Sequence, residues 1–267
     1  MNMEIPADFL SSHERCILIE VMATWGSTPR EAGAFMFVSE RALSGTIGGG
    51  RMEHAAIALA RSMLGDGREK ETLDVTLGPD SGQCCGGRVS LSLSLATEQV
   101  MEDLRLRSRL EADAYPDVFI FGAGHVGRAL ALALKPLPFN VMVVETREDE
   151  AVQLAPGIDY RIEAIAERAV SDVRAGGAVV IVTHDHALDF LIGTEALKRA
   201  DLSYVGMIGS KTKRGLFLHH LRDHGEDEQR IDRLILPIGG KAVHDKRPPV
   251  IAALVAAELL THYIGSG

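Results

Sequence analysis

Two spacing rules divide the chain. Apolar residues alternate with polar ones at Leu73, Val75 and Leu77, and again at Val89, Leu91, Leu93 and Leu95, where Ser90, Ser92 and Ser94 fill the gaps. A period of two sends neighbouring side chains to opposite faces, so it predicts antiparallel strands with one buried face. Two unbroken apolar runs, residues 15–24 and 34–39, add strands on either side of the turn-rich WGSTPREAG. Between these segments Met52, Ala55, Ala56, Leu59, Ala60, Met63 and Leu64 keep helical spacing, with Gly65 as the expected stop. A charged helix over residues 98–111 then runs into ADAYP at 112–116, where the domain boundary is placed.

Beyond that boundary the rule changes. DVFIF (117–121), NVMVV (140–144), AVVIVT (178–183) and YVGMI (204–208) are continuous apolar runs, each followed by turn and helix signals; the first helix is expected over 128–135. Strands without alternation, separated by helices, imply a parallel sheet buried on both faces. The predicted fold is therefore α/β. An N-terminal α+β domain with antiparallel strands covers residues 1–112, and a C-terminal Rossmann-like domain with a parallel sheet covers 113–267. Ligands of the second domain belong at the carboxyl ends of its strands.

Composition narrows the classes of function. A hydrophobic fraction of 46% and a charged fraction of 24% are ordinary for a globular protein. A formal net charge of −9 argues against a general binder of nucleic acid or of anionic membranes. VIAALVAAELL, starting at Val250, is too short to span a bilayer. The opening MNMEIPADFLSSHERC carries Glu4 and Asp8 and no apolar core segment, so it does not read as a signal peptide. Three cysteines make no disulfide framework and point to a reducing cytoplasm. They also fall short of an iron–sulfur set, so the chain is not expected to be a redox hydroxylase itself.

Four constellations carry candidate chemistry. Gly122, Gly124 and Gly127 form GxGxxG between a predicted strand and helix, and Glu145 ends the next strand near the usual place of a ribose-binding acid. A phosphate over the helix start is one reading; close helix–strand packing without a ligand is the other. In GTIGGGRMEH, Thr46 is placed to cap a helix, and the amides of Gly48, Gly49 and Gly50 to form an anion nest or only a tight turn. The Gly-Lys-Ser/Thr ending of a P-loop is missing, so ATP is not indicated. His184-Asp185-His186 follows a strand. A metal site completed by Asp185 or Asp189 competes there with Asp185 as a helix cap and His184 lining the crevice. Gly209-Ser210-Lys211, with Lys213 and Arg214 behind it, is a second helix start suited to phosphate.

His219, His220 and His224 read as surface, and Cys16, inside an apolar strand, as a small core residue. Gln83-Cys84-Cys85 is different. Flanking Gly82, Gly86 and Gly87 leave two adjacent thiols with little bulk around them, in reach of another molecule. No histidine lies near in sequence to act as a base, so sulfur handling fits better than Cys–His hydrolysis.

Taken in order, WGSTPREAGAFMFV, GTIGGGRMEH, GPDSGQCCGGRVSL, VFIFGAGHVGRALA, VTHDHALD, YVGMIGSKTKR and KRPPVIAALVAAELL resemble the XdhC/CoxI family of xanthine dehydrogenase accessory proteins. The resemblance implies a chaperone, not an enzyme. It would carry molybdenum cofactor (molybdopterin) without using it, support its sulfuration with a cysteine desulfurase, and deliver it to xanthine dehydrogenase or a related molybdenum hydroxylase. Carried over by motif position, Gln83, Cys84 and Cys85 meet the sulfur/molybdenum end. Thr46, Gly48, Gly49, Gly50, Gly122, Gly124, His125, Gly127, Glu145, His184, Gly209, Ser210 and Lys211 hold the rest, with a nucleotide at the Rossmann loop as a further expectation. No catalytic residue and no resident metal are assigned. A homo-oligomer, a dimer, is expected. Leu236, before Pro237-Ile238-Gly239, departs from the cysteine expected in relatives. Two other classes compete: an NAD(P)-dependent oxidoreductase, which lacks a Tyr-x-x-x-Lys pair here, and a sulfurtransferase carrying a persulfide on Cys84 or Cys85.

Overall fold

A computed structural model describes residues 15–78, 86–240, 243 and 245–264. The chain divides between Leu110 and Glu111 into two compact units. In the first, β1 (Ile17–Trp25), β2 (Phe35–Val38), β3 (Leu43–Gly45), β4 (Lys70–Thr76) and β5 (Arg88–Leu95) form an antiparallel sheet in the order β3-β2-β1-β5-β4. Helix α1 (Gly50–Asp66) packs Met52, Ala56, Ala60 and Met63 on one face, against Ile17, Ile19, Met36, Val38, Val89, Leu91 and Leu93. On the other face Leu18, Phe35 and Phe37 meet Met101 and Leu104 of α2 (Glu98–Ala114). The centre of this sheet is thus covered on both sides, not on one. That is why β1 and β2 read as apolar runs, while β5 and its edge neighbour β4 alternate.

Two ends differ from expectation. Helix α1 runs past Gly65, because a glycine in right-handed helical conformation does not stop a helix. It closes at Gly67, whose φ of 82° lets its N–H reach Met63 O at 2.9 Å. Helix α2 extends to Ala114, so most of the stretch read as a boundary is helical.

The second unit contains β6 (Asp117–Phe121), α3 (His125–Leu134), β7 (Asn140–Glu145), α4 (Glu148–Ala151), β8 (Asp159–Ile162) and β9 (Ala178–Ile181). These are followed by α5 (His186–Lys198), β10 (Tyr204–Met207), α6 (Lys211–Asp223), β11 (Leu234–Ile235) and α7 (Pro248–Ile264). The six strands are parallel in the order β11-β10-β9-β6-β7-β8. Helices cover both faces: α5 and α6 through Ile192, Ala196, Phe217 and Leu221, and α3 and α7 through Leu130, Leu134, Val255 and Leu259. This is a Rossmann-like unit, and the chain as a whole is α/β. The strand order reverses between β6 and β9, which opens a crevice at their carboxyl ends. Among the described residues no helix is long and apolar enough to cross a membrane.

Candidate functional site

At the carboxyl end of β6 the three glycines have separate duties. Gly122 turns with φ of 112°, and a Cβ there would lie 2.8 Å from Val182 O. A Cβ on Gly127 would lie 1.8 Å from Gly122 O, so helix α3 and its loop touch backbone to backbone. Gly124, the N-cap of α3, has extended backbone, and a Cβ there would meet nothing within 4 Å. Two glycines are therefore required by packing, and the third faces open space at a helix amino terminus, with exposed His125 beside it.

Glu145 does not present a free carboxylate. Its side chain is 4% exposed; Oε2 accepts from Ala123 N at 2.7 Å, and Oε1 from Thr146 N at 2.8 Å and Arg147 N at 3.2 Å. Burial alone would raise the Glu145 carboxyl, but the Ala123 amide and Arg147 outweigh burial and hold it below the usual carboxylate value. The acid braces the glycine loop, and a ribose hydroxyl would have to displace those donors. Arg128 ties the same loop from outside, donating to Ala123 O at 3.0 Å and to Glu150 at 2.7 Å.

The turn after β9 holds Thr183–Asp185. Asp185 caps α5 by accepting from Ala187 N at 2.7 Å, and His184 and His186 are exposed. Asp189, a metal candidate in the sequence, is instead fully buried and ion-paired with Lys213, whose Nζ also donates to Ile208 O at 2.8 Å. Thr183 Oγ1 lies 2.7 Å from Asp189 Oδ1. This network clips the turn after β9 to the turn after β10. Lys213 is therefore spent inside the protein, and so is Arg214, which donates to Leu234 O at 2.7 Å and Ile231 O at 2.9 Å. Of the basic residues near Gly209, only Lys211 is exposed at the start of α6, where Ser210 Oγ caps the helix by accepting from Lys213 N at 3.3 Å. Among the described residues no group of three or more His, Cys, Asp or Glu is placed to hold a metal ion.

Beside that turn lies a cavity of about 650 Å³. Its wall is apolar, with Ile208, Ile238, Ile251 and Leu254, and its polar rim includes Ser210, Lys211 and Lys246. Gly239 and Gly240 follow Pro237 on the same lining, with φ of 76° and 73°. Leu236, at the departure from the expected cysteine, is a core residue 8% exposed. Only Gly209, Ser210 and Lys211 of this lining were legible in the sequence. The signal that could have added the rest is the Pro-Ile-Gly-Gly turn followed by a second basic cluster.

In the first unit, the loop GTIGGG holds an anion of its own. Glu53 Oε2 accepts from Thr46 Oγ1 at 2.5 Å and from the amides of Ile47 and Gly49, both at 3.0 Å. The Gly48 amide bonds to Thr46 Oγ1 at 3.1 Å. Thr46 is therefore no helix cap: Gly49 takes that position with φ of 75° and no side-chain bond. Burial alone would raise the Glu53 carboxyl, but Thr46 and the loop amides outweigh it and hold it below the ordinary 4.5. A carboxyl lowered on folding stabilises the fold fully above its unfolded value and loses that contribution as pH falls through the lowered one. The gap in unfolding free energy between the native protein and Glu53→Gln, read from urea titrations, should accordingly be about 1–2 kcal/mol at neutral pH. It should close as pH falls below 4.5. A gap independent of pH would refute the assignment.

Cys16 is buried, and burial raises its thiol above the ordinary value. His220 is half-buried rather than on the surface, packed 5.4 Å from the Phe190 ring and 4.2 Å from His224. Gln83, Cys84 and Cys85 lie outside the described residues.

Residues 118–259 match the family described as XdhC Rossmann domain, and residues 9–76 match the XdhC and CoxI family. Over 257 residues the chain is 24% identical to PaoD of Escherichia coli K12, a molybdenum cofactor insertion chaperone, covering 89% of this chain and 80% of PaoD. It is 29% identical over 253 residues to the uncharacterized protein YqeB of the same strain; that match takes in 91% of this chain and 42% of YqeB's length. A solved structure from Bacillus halodurans, described as a xanthine dehydrogenase, has the same fold, with a TM-score of 0.78, 16% identity and coverage of 97% of this chain and 95% of that one.

Proposed function

The chain belongs to the XdhC and CoxI family, and from that premise we propose that it is a molybdenum cofactor insertion chaperone. In this reading it binds and protects the cofactor, supports its sulfuration and hands it to xanthine dehydrogenase or a related molybdenum hydroxylase. The observation that carries the proposal is the alignment with PaoD over nearly the whole chain. The cofactor is an anionic pterin with a phosphate tail and a sulfur-ligated metal, so its holder needs a place for an anion and a soft place for sulfur. Open Gly124 and exposed His125, at the amino terminus of the ten-residue helix α3, suit the phosphate. His184, Gly209, Ser210 and Lys211 stand on the same carboxyl edge of the sheet. Gly122, Gly127 and Glu145 shape and brace the loop. Thr46, Gly48, Gly49 and Gly50 enter as a turn preformed by Glu53, not as phosphate ligands.

The buried, fully engaged Glu145 speaks against a nicotinamide dinucleotide as the habitual ligand, since its ribose would find no free acid. Cys84 and Cys85, with Gln83, are proposed for the sulfur/molybdenum end on their sequence setting alone. A cysteine desulfurase as sulfur source, a homodimer and a cytoplasmic location complete the proposal. Protein purified from a molybdate-fed host should carry molybdenum and pterin in equal amounts, and the absence of both would overturn the reading. A Cys84→Ala/Cys85→Ala variant should lose cofactor retention or sulfuration several-fold with its melting temperature unchanged. A destabilised variant that still binds and delivers cofactor normally would remove the thiols from the site.

A further inference from the structure

We infer that the cavity beside Ser210 and Lys211 takes the ring of the cargo, a flat oxo-heterocycle, while the phosphate attached to that ring lies at Gly124. This rests on the chaperone reading and goes further by naming two places for one ligand. Three observations carry it.

The first is size and wall. At about 650 Å³ the cavity is within the range of small-molecule sites, and Ile208, Ile238, Ile251 and Leu254 give the apolar surface that ring faces need. The second is the chemistry of the rim, which offers donors and few acceptors. Lys211 and Lys246 make no ion pair among the described residues. Ser210 Oγ accepts from Lys213 N and keeps its own proton to donate, and the helix α6 begins there with its amides unpaired inside the helix. The one carboxylate among the described lining residues, Asp245, is covered by Arg247 at 2.6 Å. Such a rim selects the carbonyl and ring-nitrogen edge of an oxo-heterocycle. The third is spacing. The cavity lies at the ends of β10 and β11 and Gly124 at the end of β6, with β9 between β10 and β6. Two strand separations amount to roughly 10 Å, a gap that a short chain between ring and phosphate crosses.

Fluorescence titration with neopterin monophosphate, neopterin and inorganic phosphate separates the two places. Ile251→Trp, which puts an indole into the apolar wall where the ring would lie, should weaken both pterins about tenfold or more. Gly124→Val should bring the monophosphate down to the affinity of neopterin and leave neopterin unchanged. Lys211→Met/Lys246→Met, on the exposed rim, should weaken both pterins without reference to folding of the cavity wall. Neopterin that fails to bind the native protein, or that binds Ile251→Trp and Lys211→Met/Lys246→Met as tightly as the native protein, would overturn the inference. If the native protein holds molybdenum cofactor and Ile251→Trp holds it equally well, the chaperone reading stands and the cavity assignment falls. If the native protein holds no cofactor, the chaperone reading itself falls.

Discussion

Gly127→Ala should lower the melting temperature of the Rossmann unit by about 6–12 °C, the shift expected for a loss of about 3 kcal/mol in a unit of this size. The new methyl would start 1.8 Å from Gly122 O, and no rotamer can relieve a clash between a Cβ and a backbone oxygen. Either α3 moves off β6 or the loop gives up its bonds. Gly122 N donates to Val144 O at 2.8 Å and Ala123 N to Glu145 at 2.7 Å, so the second course leaves donors unpaired in a buried place. Gly124→Val is the matched control. Its backbone, φ −66° and ψ −174°, suits any residue, and a Cβ there meets nothing within 4 Å, so the melting temperature should hold. Thermal melts of the two variants side by side decide the matter. A Gly127→Ala protein that melts with the native one would mean that the close approach is not a constraint.

Lys213→Met should cost about 3–5 kcal/mol, because it leaves the Asp189 carboxylate buried without its cation. The side chains of the pair are 7% and 0% exposed, so solvent cannot take the place of the missing partner. Asp189→Asn/Lys213→Met should cost clearly less than Lys213→Met alone, since no buried charge remains and the amide can still accept from Thr183. Urea midpoints for both singles and the double close the cycle. A Lys213→Met protein within 1 kcal/mol of native, the size of a surface pair, would show that the contact is not the buried ion pair described here.

The parallel sheet could be read from residues 117–208 because strands buried on both faces carry no polar interruptions, and each of the four runs named there is a strand. The strands β3, β8 and β11 could not. They are Leu-Ser-Gly, Asp-Tyr-Arg-Ile and Leu-Ile, too short or too polar to show a period. All three are edge strands, held in place by one neighbour rather than by their own composition. The glycine fingerprint was equally visible, but the division of labour within it was not. Which glycine packs and which stands open depends on where Val182 and Gly122 O fall in space. The inward turn of Glu53 and Glu145 was not legible: a carboxylate near a glycine loop reads as polar surface or as a ligand contact, whereas here each accepts from the loop's own amides. The Asp189–Lys213 pair, 24 residues apart in sequence, leaves no local trace.

Burial of Cys16 has a practical consequence for the other two thiols. The chain has three cysteines, and this one is 4% exposed with its thiolate disfavoured. An alkylating reagent applied to the folded protein finds no nucleophile there, so any label taken up before unfolding reports on Cys84 and Cys85 alone. Cys16 takes up label only on unfolding and serves as an internal standard. The adjacent pair can thus be followed in the unaltered sequence, with no cysteine removed to make the reading specific.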